Sequence, residues 1–169
     1  MTNSNKTRQM VYSAFFAAII FLTTAYIFHI PAPNSGYVHL GDAFIYISAC
    51  ILPMPYAAVA GAIGCGLADL VSGAVVWIIP TVIIKALMVL PFSNKGKIMT
   101  KRNFIATLIS GFGSMILYLL VEMAIYGNPM AVLMTIPHGS IQPIGSTILF
   151  VIVAIAFDKI KIKERLFRR

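Results

Sequence analysis

The chain has 169 residues, 59% of them hydrophobic and 11% charged, with a formal net charge of +8. Its mean hydropathy of +0.89 excludes a soluble domain of ordinary composition and indicates an integral membrane protein. The excess of Lys and Arg fits topology signals with some affinity for anionic lipid, and no nucleic-acid partner is expected.

In chain order, the first apolar run covers 11–28. It is longer than a signal-peptide core of about 7 to 15 residues and is read as a retained first span. "HIPAPNSGY" (29–37) reads as an outside loop. The stretch 37–92 contains one basic residue, Lys85, and at about 20 residues per span it divides into three helices. Its joints are "LPMPY" (52–56), an inside turn, and "VSGAV" (71–75), an outside turn, both marked by Pro or Gly chemistry. A basic loop with Lys95, Lys97, Lys101 and Arg102 follows. Two more spans are expected, over 104–127 and from about 141 to 157, with "YGNPM" (126–130) opening the last outside loop.

Twelve of the thirteen Lys and Arg fall in three places: Lys6 and Arg8, the 95–102 loop, and the segment from Lys159 to Arg169. If all three are cytoplasmic, an even number of spans separates each from the next. The expected fold is therefore all-α, an integral membrane protein of six transmembrane helices (9–28, 39–52, 55–72, 75–92, 104–126 and 139–158). Residues 1–169 form a single membrane domain with cytoplasmic N- and C-termini.

With that topology Asp42, Asp69, Trp77, Glu122 and Tyr126 sit near outer helix ends, and His138 and Gln142 open the sixth helix. The inner halves are almost wholly apolar. An ionisable group inside a span costs roughly 2.5–3.5 kcal/mol and usually serves a substrate or ion path, so these residues point to a pocket open to the outside. Lys85, in mid-helix, either pairs with Asp42, Asp69 or Glu122 or contacts a substrate directly. Asp42 either caps its helix or binds ligand. His39 and His138 flank the pocket, His29 is expected to be solvated, and Trp77 offers a planar ring a stacking face.

Cys50 and Cys65 lack CxxC or His partners and read as small packing residues, with no metal site indicated. "GAIGCG" (61–66) reads as a close helix crossing. Ala14 and Ala18 stand one turn apart on helix 1, and Ser13 with Ala17 extends a smooth strip. No phosphate-binding loop, HExxH or GxSxG occurs, so neither an enzyme nor a bound cofactor is expected. The chain has a binding site without an engine. Two other readings stay open: a stand-alone proton-coupled carrier using Asp42, Asp69 and Glu122, and a ligand-free membrane scaffold.

The run "GYVHLGDAFIYISACILPMPYAAVAGAIGCGLADLVSGAVVWIIPTVIIKALM" (36–88) closely resembles the substrate-binding S components of energy-coupling factor (ECF) vitamin transporters, in the riboflavin-type branch. The LGDA stretch, the small-residue helix ending in ADL-x-SG and an aromatic fourth helix with a lysine carry the likeness. "IPHGSIQPIGS" (136–146) is similar to the family's sixth-helix start, although Gly139 and Ser140 stand where an asparagine is often found. The resemblance implies a bacterial plasma-membrane subunit that captures a vitamin outside and topples to release it inside. Its partners would be an EcfT-type transmembrane subunit and two ATPases. Ala14 and Ala18 match the family's AxxxA motif, which contacts EcfT, and residues 29–38 would act as a lid. Among cargo classes, vitamin B6 forms or hydroxymethylpyrimidine are favoured over riboflavin, because Trp77, His39 and Lys85 could stack on and bond one ring.

Overall fold

The computed structural model describes residues 3–27, 29–31 and 37–167; within them the side chains of residues 3, 4, 31, 131–134 and 138 lie outside the description. Helix α1 (Asn3–Leu22) runs into a π-helical turn, Thr23–Ile27. A short antiparallel hairpin follows, β1 (Ile30–Pro31) paired with β2 (Tyr37–Val38). Next come α2 (Asp42–Ile51), α3 (Met54–Val71), a 3₁₀ turn (Val75–Trp77), α4 (Ile78–Leu87), α5 (Lys101–Tyr126), α6 (Pro129–Lys159) and α7 (Ile162–Phe167).

Four helices are long and apolar enough to cross a membrane: 5–27, 54–71, 101–126 and 135–159. Helices α2 and α4 have 10 residues each, about 15 Å at 1.5 Å per residue, half of a bilayer's hydrocarbon thickness. In α2 every residue but Phe44 is buried, so it is a core helix surrounded by its neighbours. The last long helix starts at Pro129, ten residues before the expected 139. Pro129 is pre-organised for a first helical turn. Pro137 and Pro143 lie inside α6, as neighbouring helices permit in a membrane protein. The outside loop expected before the sixth helix is therefore mostly helix.

Helix α3 is the hub, and its glycines show why. A Cβ on Gly64 would come within 2.7 Å of the Ala17 carbonyl oxygen and 2.8 Å of Ile20. One on Gly61 would meet the Lys85 carbonyl at 3.3 Å, and one on Gly66 would meet Val82 at 3.0 Å. The "GAIGCG" stretch thus lets α1 and α4 pack close against α3, as its small residues suggested.

The same crossing divides the helix-1 strip. Ser13 and Ala17 are buried, and the Ser13 hydroxyl donates to the Tyr56 carbonyl at 2.7 Å. Ala14 and Ala18 are exposed. The four do not form one surface, because 100° per residue turns 13 and 17 toward α3 and leaves 14 and 18 outside.

The three basic clusters meet at one end of the bundle. Asp158 accepts the backbone N–H groups of Ile98 and Met99 at 2.9 and 2.8 Å. Lys163 donates to the carbonyls of Asn94 and Gly96, and Tyr12 donates to the Leu166 carbonyl. Burial lowers the Lys163 pKa, with Cys50 and Asp158 opposing the shift. Asn103 ties the loop internally, accepting from Ser93 N and donating to the Ser93 and Ile98 carbonyls. Just inside this end Tyr46 stacks on Phe92 at 5.2 Å and meets Phe150 edge-on, which fills the bundle with apolar rings.

Candidate functional site

At the hairpin end the bundle opens into a cavity of about 150 Å³. Helix α5 supplies one wall through a buried polar stripe: Asn103, Thr107, Ser110 and Ser114 recur at three- and four-residue steps, with Glu122 two turns further on, and the last two line the cavity. The facing walls come from the C-terminal part of α3, from Thr81 and Lys85 of α4 and from the first half of α6, with β2 closing one side.

The LGDA stretch owes its glycine to space. Gly41 has an ordinary helical φ of −58°, but a Cβ there would fall 2.0 Å from the Thr24 hydroxyl oxygen. That hydroxyl is buried in the π-helical turn and lies 3.4 Å from His39 Nδ1. The Gly41 N–H donates to the same Nδ1 at 3.1 Å, which places the ring's proton on Nε2.

Asp42 follows at the first position of α2 and makes no cap. Its Oδ1 accepts from Lys85 Nζ at 2.6 Å, with both side chains 1% exposed. Its Oδ2 accepts from Gln142 Nε2 at 2.7 Å, and Gln142 Oε1 accepts from the His39 backbone N–H at 3.3 Å. One carboxylate therefore joins α2, α4 and α6 at the cavity floor. Asp42 itself stands behind the wall, while Lys85 and Gln142 are part of it. The Lys85 ammonium also lies 5.3 Å from the Tyr118 ring centroid, within cation–π range.

Asp69 closes the opposite wall. The Tyr37 hydroxyl of β2 donates to its Oδ1 at 2.5 Å, and Tyr37 stacks on His29 with centroids 4.1 Å apart. Burial, then the Asp69 charge, raises the Tyr37 pKa far above its ordinary range. His29 donates from Nδ1 to the Thr24 carbonyl at 3.2 Å, so the expected solvated histidine is instead a stacked prop of the hairpin. Residues 32–36, the rest of the expected lid, lie outside the described residues.

Of the nine candidate pocket residues, His39, Asp69, Trp77, Lys85, Glu122 and Gln142 line the cavity. Asp42 and Tyr126 do not; Tyr126 is 41% exposed and lies beside Trp77 at 6.4 Å. The His138 side chain lies outside the described residues. Glu122 accepts from the Thr135 hydroxyl at 2.9 Å. Sequence reasoning passed over Tyr37, Thr81, Ser114 and Tyr118, all of which line the cavity. The polar stripe of α5, and Thr81 one turn before Lys85, were signals that could have found three of them.

Cys65 also lines the cavity, and His39, Asp42 and Cys65 bring ligand atoms within 4.8 Å of one another. His39 Nδ1 already accepts from Gly41, and each Asp42 oxygen accepts one hydrogen bond, from Lys85 and from Gln142. A cation would also face the Lys85 ammonium, so the donor set suits a hydrogen-bonded floor better than a metal.

The arrangement surrounds the cavity with hydrogen-bonding side chains from several elements. Residues 4–159 match the family described as ECF-type riboflavin transporter, S component. The chain belongs to that family. It is thus a non-catalytic subunit of membrane transport and a multi-pass membrane protein. No curated protein and no solved structure matches it. In this S component the long helices carry a wide exposed apolar surface.

Proposed function

We propose that this S component captures a small, water-soluble, single-ring vitamin or precursor, with a vitamin B6 form or hydroxymethylpyrimidine favoured and riboflavin the third candidate. The carrying observation is the cavity itself. A volume of about 150 Å³ takes one benzene-sized ring, and polar groups from five elements surround it. Trp77, 8% exposed, offers a ring face, and Lys85, Gln142, Asp69 and His39 offer donors and acceptors. A tricyclic flavin would extend beyond this volume toward the open side of the cavity.

Membership of the family supports the rest of the reading. In it the chain crosses the membrane six times, with α2 and α4 as the short second and fourth segments, the basic end in the cytoplasm of a bacterial cell and the cavity outside. An EcfT-type subunit and two ATPases supply energy, and the exposed Ala14 and Ala18 form the contact with EcfT. Calorimetric titration of the purified protein with pyridoxine, pyridoxal, hydroxymethylpyrimidine, thiamine and riboflavin tests the cargo. A tight one-to-one complex with a one-ring compound supports the reading. Tight binding of riboflavin alone overturns the size argument, and uncoupler-sensitive uptake into vesicles holding only this chain would replace the ECF mechanism with a carrier.

A further inference from the structure

The charges around the cavity restrict the cargo beyond its size. Lys85 is the only Lys or Arg among the described lining residues, and its charge is matched at 2.6 Å by Asp42. Two further carboxylates line the wall: Glu122, which accepts from the Thr135 hydroxyl, and Asp69, 4% exposed. Its Oδ1 is held by a neutral phenol, its Oδ2 makes no hydrogen bond of good geometry among the described residues, and the Thr81 hydroxyl and the Lys85 charge bear on it from the same wall. A carboxylate in such surroundings keeps a field that is only partly compensated, because little water reaches it to screen it.

Resting on the single-ring reading above, we infer that the site selects a cargo that is cationic or carries N–H donors, and rejects carboxylated or phosphorylated forms of the same ring. Asp69 is the residue that sets this preference. It acts through its charge at the cavity wall, so the cargo need not displace Tyr37 from Oδ1. A protonated ring nitrogen or an amino substituent is stabilised there. An anionic substituent meets Asp69 with Lys85 already engaged by Asp42.

Size-matched compounds separate charge from bulk. Pyridoxamine, pyridoxine and 4-pyridoxic acid differ at one ring position, as do the 5-aminomethyl, 5-hydroxymethyl and 5-carboxylate forms of 4-amino-2-methylpyrimidine. Titrated calorimetrically into the purified chain, the carboxylate of the series that binds is expected to be at least about a hundredfold weaker than the amine, since a single unit charge several ångströms away at an effective dielectric of about 20 already has that effect. In Asp69→Asn, whose amide oxygen can still accept from Tyr37, that ratio should shrink at least about tenfold. A carboxylate that binds wild type as tightly as the amine overturns the inference and leaves the single-ring reading standing. An unchanged ratio in Asp69→Asn overturns the assignment to Asp69. Failure of both series to bind overturns the single-ring reading and this inference together.

Discussion

Asp42 shows how much one side chain can carry in a membrane protein. Its two oxygens hold Lys85 and Gln142, and removing one partner of a buried pair leaves a charge that neither water nor protein satisfies. Asp42→Ala is therefore expected to cost about 3–5 kcal/mol, read as a large fall in the thermal midpoint in detergent. The matched double change Asp42→Leu with Lys85→Met should recover most of that stability while losing ligand affinity. Trp77→Ala and His39→Ala have the opposite signature: weaker cargo binding with the fold retained, measured by titration beside a melting curve. Unchanged affinity in both would move the binding site elsewhere. Capping, ligand contact and ion pairing were all open for Asp42 from the sequence. Only the rotation of α2 against α4 and α6 decides among them, because position on a helix says nothing about which neighbour stands opposite.

At the scale of elements the glycine crossings govern the packing. Gly64→Ala places a methyl 2.7 Å from the Ala17 carbonyl, a backbone atom that cannot swing away as a side chain would. The overpacking should cost about 1–3 kcal/mol, seen as a lower midpoint. Gly113→Ala, where a Cβ meets nothing within 4 Å, is the control and should leave the midpoint near wild type. The sequence showed that α3 makes a close crossing but not which glycine faces which helix. It also placed the start of the sixth helix too late, since Pro137, Gly139 and Pro143 look like breakers. Within a bundle they are tolerated: a Cβ on Gly111 would touch Pro143 at 2.7 Å, so Pro143 packs into an α5 notch. The polar stripe of α5 was legible, yet it was read only at Glu122, near the helix C-terminus.

For the whole molecule, the division of labour between its two ends and its flank is the main point. One end is tied by Asp158, Asn103, Lys163 and Tyr12 into a fixed basic platform, and the other holds the cavity under a hairpin. The exposed Ala14 and Ala18 lie on α1, away from the cavity-lining residues. Ala14→Trp or Ala18→Trp is expected to abolish transport in cells carrying the ECF partners while leaving cargo affinity nearly unchanged. A matched loss of affinity would sink the assignment of that strip to the partner. Asp158→Ala uncaps two backbone N–H groups at the basic end and should speed proteolysis of the 93–99 loop without altering cargo binding.

The sequence by itself determined the membrane character, the all-α class, the gathering of basic residues toward one side and the family, because hydropathy, charge placement and short motifs are local properties of the chain. The tertiary structure decided which polar residues share the cavity. It buried Asp42 behind Lys85, brought Tyr37 from the hairpin onto Asp69, turned Ser13 and Ala17 inward while leaving Ala14 and Ala18 outside, and drew Thr81 and Tyr118 into the wall. Those assignments depend on how each helix is rotated about its axis and where it crosses its neighbours. Contacts between residues far apart in the chain fix both.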